Sequence, residues 1–431
     1  MAREFRVGGA SEMEPTLEDG KMVLEAWTRA INKHTARRAQ TVLSTMEKLH
    51  ASKKTTVKPD LECYRHVLLA MSRSRVPTVG HNIPRLLKSM EDNQLSPDTF
   101  CFDAAIETLK NCARHSKSDD AEKYARATEG MLLRMELQRE RDSESVIEPS
   151  AVTYTNVIQA LAARKTAKAA ERAGELLTKM EKEYAWDEED EEGGNESMRP
   201  TRDSYVGVIH AHGNSDAEDK YARANDILQR MIAQHAGGNE EARPDVCSFH
   251  AVIRACSRTV EATSSPEKHR EALLLAISTV QHMKKSESHR PNAKSYLLLL
   301  QCCANLLPSG SVECEKALSS IFRSCRKDGL VNRQVLKQFQ STVSTEAYHR
   351  EVVRDAPTYD GIKSLPETWT RSLGYRPRTR SGTDGDGMVT EKRNPIISVG
   401  GEVIGSTAYN DHRMRRRWEK KNQKVLQGGR S

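Results

Sequence analysis

Nine cysteines and fourteen histidines are the side chains best suited to metal binding or nucleophilic catalysis, and their spacing serves neither. No Cys-x-x-Cys or His-x-x-x-His pair occurs, so no zinc site is expected. His210 and His212 stand two apart on a predicted helix and point away from each other. Asp384 and Asp386, in the glycine-rich run Ser381 to Gly387, fall short of a calcium loop or a two-metal carboxylate set. Cys101, Cys256, Cys302 and Cys303 sit within predicted helices and read as buried free thiols of a reducing compartment. No catalytic residue, metal, cofactor or small-molecule substrate is therefore expected.

Two charge runs remain. Asp187 to Glu192 (DEEDEE), followed by Gly193 and Gly194, reads as a solvated loop. Near the chain end Arg415, Arg416, Arg417, Trp418, Lys420 and Lys421 form a basic, predicted helical tail suited to RNA, with an indole for base stacking. Residues 345–431 hold 17 Lys or Arg against 11 Asp or Glu, a net of +6. The whole chain carries +7, which leaves +1 for the preceding 344 residues. Aromatics make up 5% and charged residues 29%, with no apolar run long enough to span a membrane. That composition suits a thin, one-dimensional core better than one large globule.

The elements that position these side chains repeat. From Pro149 to Met180 the chain reads as two short amphipathic helices: Tyr154, Val157, Ile158 and Leu161 form one face, and Ala173, Leu176, Leu177 and Met180 the next. Pro149 is expected to open the first helix, as its fixed φ and missing N–H allow. The same 31-residue distance from proline to methionine recurs from Pro15, Pro59 and Pro200. Pro97–Met135 and Pro244–Met283 are lengthened copies, and Pro291–Cys325 is a seventh. Neither helix buries its stripe alone, so the units must stack. The expected organisation is an N-terminal extension (residues 1–14, with a truncated or irregular cap), seven repeats and a partial eighth (15–344), and a low-order C-terminal region (345–431). In that last region residues from about Glu346 lose the repeat, apart from one short hairpin at Ile396 to Ile404 and the basic tail.

A proline-led helix pair, an aromatic five residues after the proline (Tyr64, Phe102, Tyr154, Tyr205, Phe249, Tyr296) and an Ala-x-x-Leu-Leu-x-x-Met second helix resemble the pentatricopeptide-repeat family. The resemblance covers roughly residues 15–333. It implies an all-α, right-handed superhelical solenoid whose first helices line a groove for single-stranded RNA, one repeat to about one base. Some members of that family carry a deaminase-like module, whose His-x-Glu and Cys-x-x-Cys elements are missing from this tail.

By resemblance, the base-reading residue lies six after the proline and works with the residue following the next proline. Those places hold Lys21, Arg65, Asp103, Thr155 and His250, and Asp60, Asp98, Ser150, Thr201, Asp245 and Asn292. Val206 and Leu297 fill the same sixth position and cannot hydrogen-bond a base edge, so a complete base code is not expected. Fourteen residues after the proline stand Arg29, Arg73, Asn111, Asn214, Arg258 and Asn305, with Ala163 in the fourth unit. Their chemistry suits RNA phosphates, and it equally suits a helix C-terminus.

The resemblance thus implies an organellar protein, mitochondrial or plastid, that holds single-stranded RNA for processing, stability or translation. The alternative is a protein-interaction scaffold of a ribosome or other ribonucleoprotein, for which Val206, Leu297 and the near-neutral repeats speak.

Overall fold

A computed structural model describes residues 16–373, except 31, 33, 53–56, 75, 142–146, 186–194, 264, 287 and 355–364. The N-terminal extension, the acidic run Asp187–Glu192, the 396–404 segment and the basic tail lie outside the described residues.

Among the described residues the chain is helical without strands. The helices come in pairs: α1 (Leu17–Arg29) and α2 (Thr35–Ala51), α3 (Leu61–Ser72) and α4 (Ile83–Asp92), α5 (Thr99–His115) and α6 (Ser118–Arg141), α7 (Ala151–Leu161) and α8 (Ala167–Tyr184). α9 (Arg202–Asn214) and α10 (Lys220–Ala236), α11 (Val246–Ser257) and α12 (Pro266–Lys285), and α13 (Ala293–Leu306) and α14 (Val312–Lys327) complete the series, with α15 (Arg333–Thr342) after it. Each odd-numbered helix packs on its odd-numbered neighbours and, up to α13, on its own partner; α3, α7, α9, α11, α13 and α15 also pack on the preceding even-numbered helix. This is an all-α repeat stack in two layers, with the first helices of the repeats forming one layer.

The repeating apolar pair of each first helix explains that layer. Val67–Leu68, Ala105–Ile106, Val157–Ile158, Val208–Ile209, Val252–Ile253 and Leu299–Leu300 are all buried. Val23 is 45% exposed, and among the described residues α1 has a neighbouring first helix on one side.

The start of each first helix corrects one expectation. Pro149 is not the first helical residue: Ser150 is the N-cap and Ala151 begins the helix. Asp60, Asp98, Thr201, Asp245 and Asn292 likewise cap α3, α5, α9, α11 and α13, and Asn332 caps α15. The side chains of Asp60, Asp98, Asp245, Asn292 and Asn332 accept from N–H groups of the first turn, so the polar residue sets the boundary and the proline stays in the extended entry.

The other end of the stack corrects a second expectation. Residues beyond Glu346 continue as Thr345–Tyr348, a π-helical turn His349–Val353, and a short helix Glu367–Thr370 that returns to the last repeat. Trp369 is 5% exposed and stands edge-on to Phe322, which stacks on Phe339 at 4.2 Å. The Val331 N–H donates to the Trp369 carbonyl at 2.9 Å and the Ser372 N–H to that of Gly329 at 3.0 Å. This segment covers apolar surface that α14 and α15 leave open.

Candidate nucleic-acid interface

The cap of each first helix also determines the fate of the sixth-position side chains. Lys21 Nζ lies 2.7 Å from Asp60 and 3.0 Å from Glu62. Arg65 is ion-paired with Asp98. In later repeats the same position meets the third residue after the cap: Thr153 donates to Asp103 at 2.6 Å, Thr155 and Ser204 share a bond of 2.7 Å, and His250 Nε2 lies 2.8 Å from Ser295 Oγ. Thr153, Ser204 and Ser295 are the residues that close the capping boxes of Ser150, Thr201 and Asn292.

The two positions selected from the sequence are thus paired directly in the first two cases, and in the later repeats the sixth-position side chain bonds to the capping-box partner of the second position across the repeat boundary. Thr155 and His250 are buried as well. Base reading at these places requires the pairs to open.

Burial has a price at Asp103. Desolvation pushes its carboxyl up to about 6 from 3.8, despite the hydrogen bond from Thr153. A carboxyl raised in the folded state contributes stability below about pH 4, and that contribution is lost as the pH rises through 6. Asp103→Asn keeps an acceptor for Thr153. It is expected to leave stability unchanged near pH 4 and to raise it by about 1–2 kcal/mol at pH 8. Urea unfolding of both proteins at the two pH values measures this, and an equal difference at both would refute it.

The fourteenth-position residues are drawn into the stack. Arg73 donates to the carbonyl of Thr28 at 2.9 Å, Asn111 to that of Ser72 at 2.9 Å, Asn214 to that of Ala162 at 3.0 Å and Asn305 to that of Ser257 at 3.3 Å. Each acceptor lies at the end of the preceding first helix, where carbonyls have no partner within the helix. Arg258 donates to the side-chain oxygen of Asn214. Arg29 pairs with Glu25 at 2.6 Å in its own helix. Arg73, Asn111, Asn214 and Asn305 thus cap the neighbour's helix rather than their own, each committing a donor to it.

Ala163 shows the rule by exception. The helix before it, α5, runs on to His115, so the carbonyl of Lys110 is already used within that helix and offers no place for a side-chain donor. Asn214→Ala removes one rung and the acceptor of Arg258. It should cost about 1–2 kcal/mol by thermal or urea unfolding, and a loss below a few tenths would sink the ladder as a stabilising device.

The first helices also carry cations that sequence reasoning missed, Arg114 and Arg254, beside the Arg258 that it selected. His210 on α9 is held neutral, its pKa lowered to about 4 by burial and then by the positive charges of Arg254, Arg114 and Arg258. The charges of three arginines, Arg114 on α5 and Arg254 and Arg258 on and just after α11, thus act on one imidazole. Arg114 escaped notice because α5 is longer than the other first helices and carries it past the fourteenth position. Arg254 occupies the tenth position, four residues and about one turn before Arg258.

Metal chemistry finds no support in the geometry. Among the described residues no group of three or more His, Cys, Asp or Glu is placed to hold an ion. All nine cysteines are free and only Cys247 is exposed. No described helix is long and apolar enough to cross a membrane.

No protein-family model and no curated protein matches the sequence. Among solved structures, the crystal structure of the pentatricopeptide repeat protein PPR10 from maize is similar over 82% of this chain and 51% of the maize chain, at 17% identity and a TM-score of 0.27. The chain spans about half the length of that protein. The capped first helix, its buried aromatic at the fifth position and the methionine-ended second helix recur through the stack. The repeats are pentatricopeptide-like. In these pentatricopeptide-like repeats the cap serves both the helix and the boundary with the preceding unit.

Proposed function

We propose that the first-helix layer holds single-stranded RNA by its phosphates, with little reading of bases. The observation that carries this is that Arg114, Arg254 and Arg258 of that layer all act by their charge on a neutral His210. Guanidiniums are the donors that suit phosphate oxygens, and a cluster spanning several repeats suits a strand rather than a single small anion. The paired sixth-position residues support the absence of a base code, because a base edge must displace an existing bond at each.

The role is binding rather than catalysis. The family that the repeats resemble supports a mitochondrial or plastid setting, with the RNA held for stability, processing or translation. Titration of the full chain with a random single-stranded RNA pool at several salt concentrations tests the reading. A second protein carries Arg415→Glu, Arg416→Glu and Arg417→Glu in the tail. Salt-sensitive binding is expected from both. Binding that disappears with the tail charges would overturn the groove and favour a protein-interaction scaffold.

A further inference from the structure

Away from the first-helix layer, the last second helix and the returning segment enclose a cleft of about 500 Å³, lined by Arg323, Arg326 and Lys327 of α14 with Glu351, Thr368, Trp369 and Arg371. Four cations face one carboxylate. Glu351, only 3% exposed, sits in the π-helical turn and takes the Arg323 guanidinium through both oxygens, with Nε at 2.9 Å. Its backbone carbonyl accepts from Arg326 at 2.9 Å, and the same guanidinium lies 3.9 Å over the Trp369 ring.

Arg371 is fixed from the opposite wall, donating to the Lys327 carbonyl at 2.9 Å. Gly329 makes that approach possible: its φ is +70° and a Cβ there would lie 2.5 Å from the Arg371 side chain. Lys327 is exposed, and its ammonium makes no hydrogen bond or ion pair among the described residues.

We propose that this cleft binds a phosphate monoester carried on a nucleotide. Glu351 orients two guanidiniums and takes the charge of Arg323, which leaves Lys327 and Arg371 as two cations of a built site without a carboxylate among the described residues. A terminal phosphate carries nearly two negative charges at neutral pH and presents three oxygens, whereas a phosphodiester inside a strand carries one. The volume admits a mononucleotide and exceeds what a bare ion fills. The source is a free nucleotide or the end of an RNA strand, and the site does not depend on the groove reading above.

Calorimetric titration of the full chain compares adenosine 5′-monophosphate with adenosine, and a short uridine oligomer bearing a 5′-phosphate with its 5′-hydroxyl form. The phosphorylated member of at least one pair should bind about tenfold more tightly, and Lys327→Glu should abolish that preference. Arg371→Glu should do the same, and an unchanged unfolding midpoint of Lys327→Glu shows that the loss is not one of folding. Preference in the oligomer pair identifies a strand end; preference confined to the nucleoside pair identifies a free nucleotide. No preference in either pair, or a preference that survives Lys327→Glu, overturns the site.

Discussion

A protein carrying Arg114→Gln and Arg254→Gln should bind single-stranded RNA about a hundredfold more weakly than the parent at moderate salt. The plot of log affinity against log salt should flatten by about 1.4, the share of two phosphate contacts to a single strand. Arg258 is left in place. Arg258 also holds Asn214, so its removal mixes binding with stability. His210 offers an internal reporter, because its lowered pKa owes part of its depression to these arginines. In the double variant the imidazole should titrate at higher pH, readable by NMR. An affinity and a salt slope that both stay at parental values would remove the first helices from the RNA path. The His210 shift would establish independently whether the cluster is assembled as described.

Tyr205→Ala should destabilise the repeat stack by about 4 kcal/mol, the cost of removing a large buried ring with little room for collapse. Tyr205 is fully buried, and its hydroxyl donates to Glu181 at 2.7 Å; the same carboxylate also accepts from Arg230. Burial and the neighbouring carboxylate push the phenol pKa up, so it stays protonated as a donor. Tyr205→Phe keeps the ring and should cost only about 1–2 kcal/mol.

The comparison separates packing from hydrogen bonding, and urea unfolding followed by circular dichroism measures both. Equal losses for the two variants would place the whole effect on the hydroxyl and contradict the packing account. Because neighbouring repeats stabilise one another pairwise, the alanine variant should also broaden the transition or split it at α9.

The chemistry of this boundary is written in residues 24 or fewer positions apart, and it recurs. Tyr64 donates to Glu47 and Tyr154 to Glu136, and each glutamate follows the methionine that ends the preceding unit's pattern. Where Ile232 follows Met231 instead, the next aromatic is Phe249, which needs no acceptor. The glutamate after Met90 faces Phe102 and is taken by Arg134.

Much of the fold was legible for the same reason: a one-dimensional stack repeats its sequence because every unit solves the same burial problem. The paired positions six after one proline and one after the next were legible as neighbours. Their mutual saturation was not, because it passes through a third residue, the capping-box partner, whose side chain reaches back across the repeat boundary. Asn111, Asn214 and Asn305 looked like phosphate ligands because the orphan carbonyls that claim them belong to a helix roughly forty to fifty residues upstream. The closing segment around Trp369 has no period to announce it. A single tryptophan between proline-containing and glycine-rich stretches reads as unstructured until α14 and α15 supply the surface that it covers. Arg114 was hidden by the length of α5, which only the backbone reveals.

The side-chain bonds at the ends of the first helices all run the same way. Thr28, Ser72, Ala162 and Ser257 offer carbonyls, and in every case the donor comes from the unit that follows. A unit without its successor leaves that carbonyl to water, and a unit without its predecessor returns an amide or guanidinium to water. The array therefore has a direction. On a ribosome each hairpin emerges unfinished and is completed by the one made next, so growth of the chain and growth of the ordered stack proceed towards the same end.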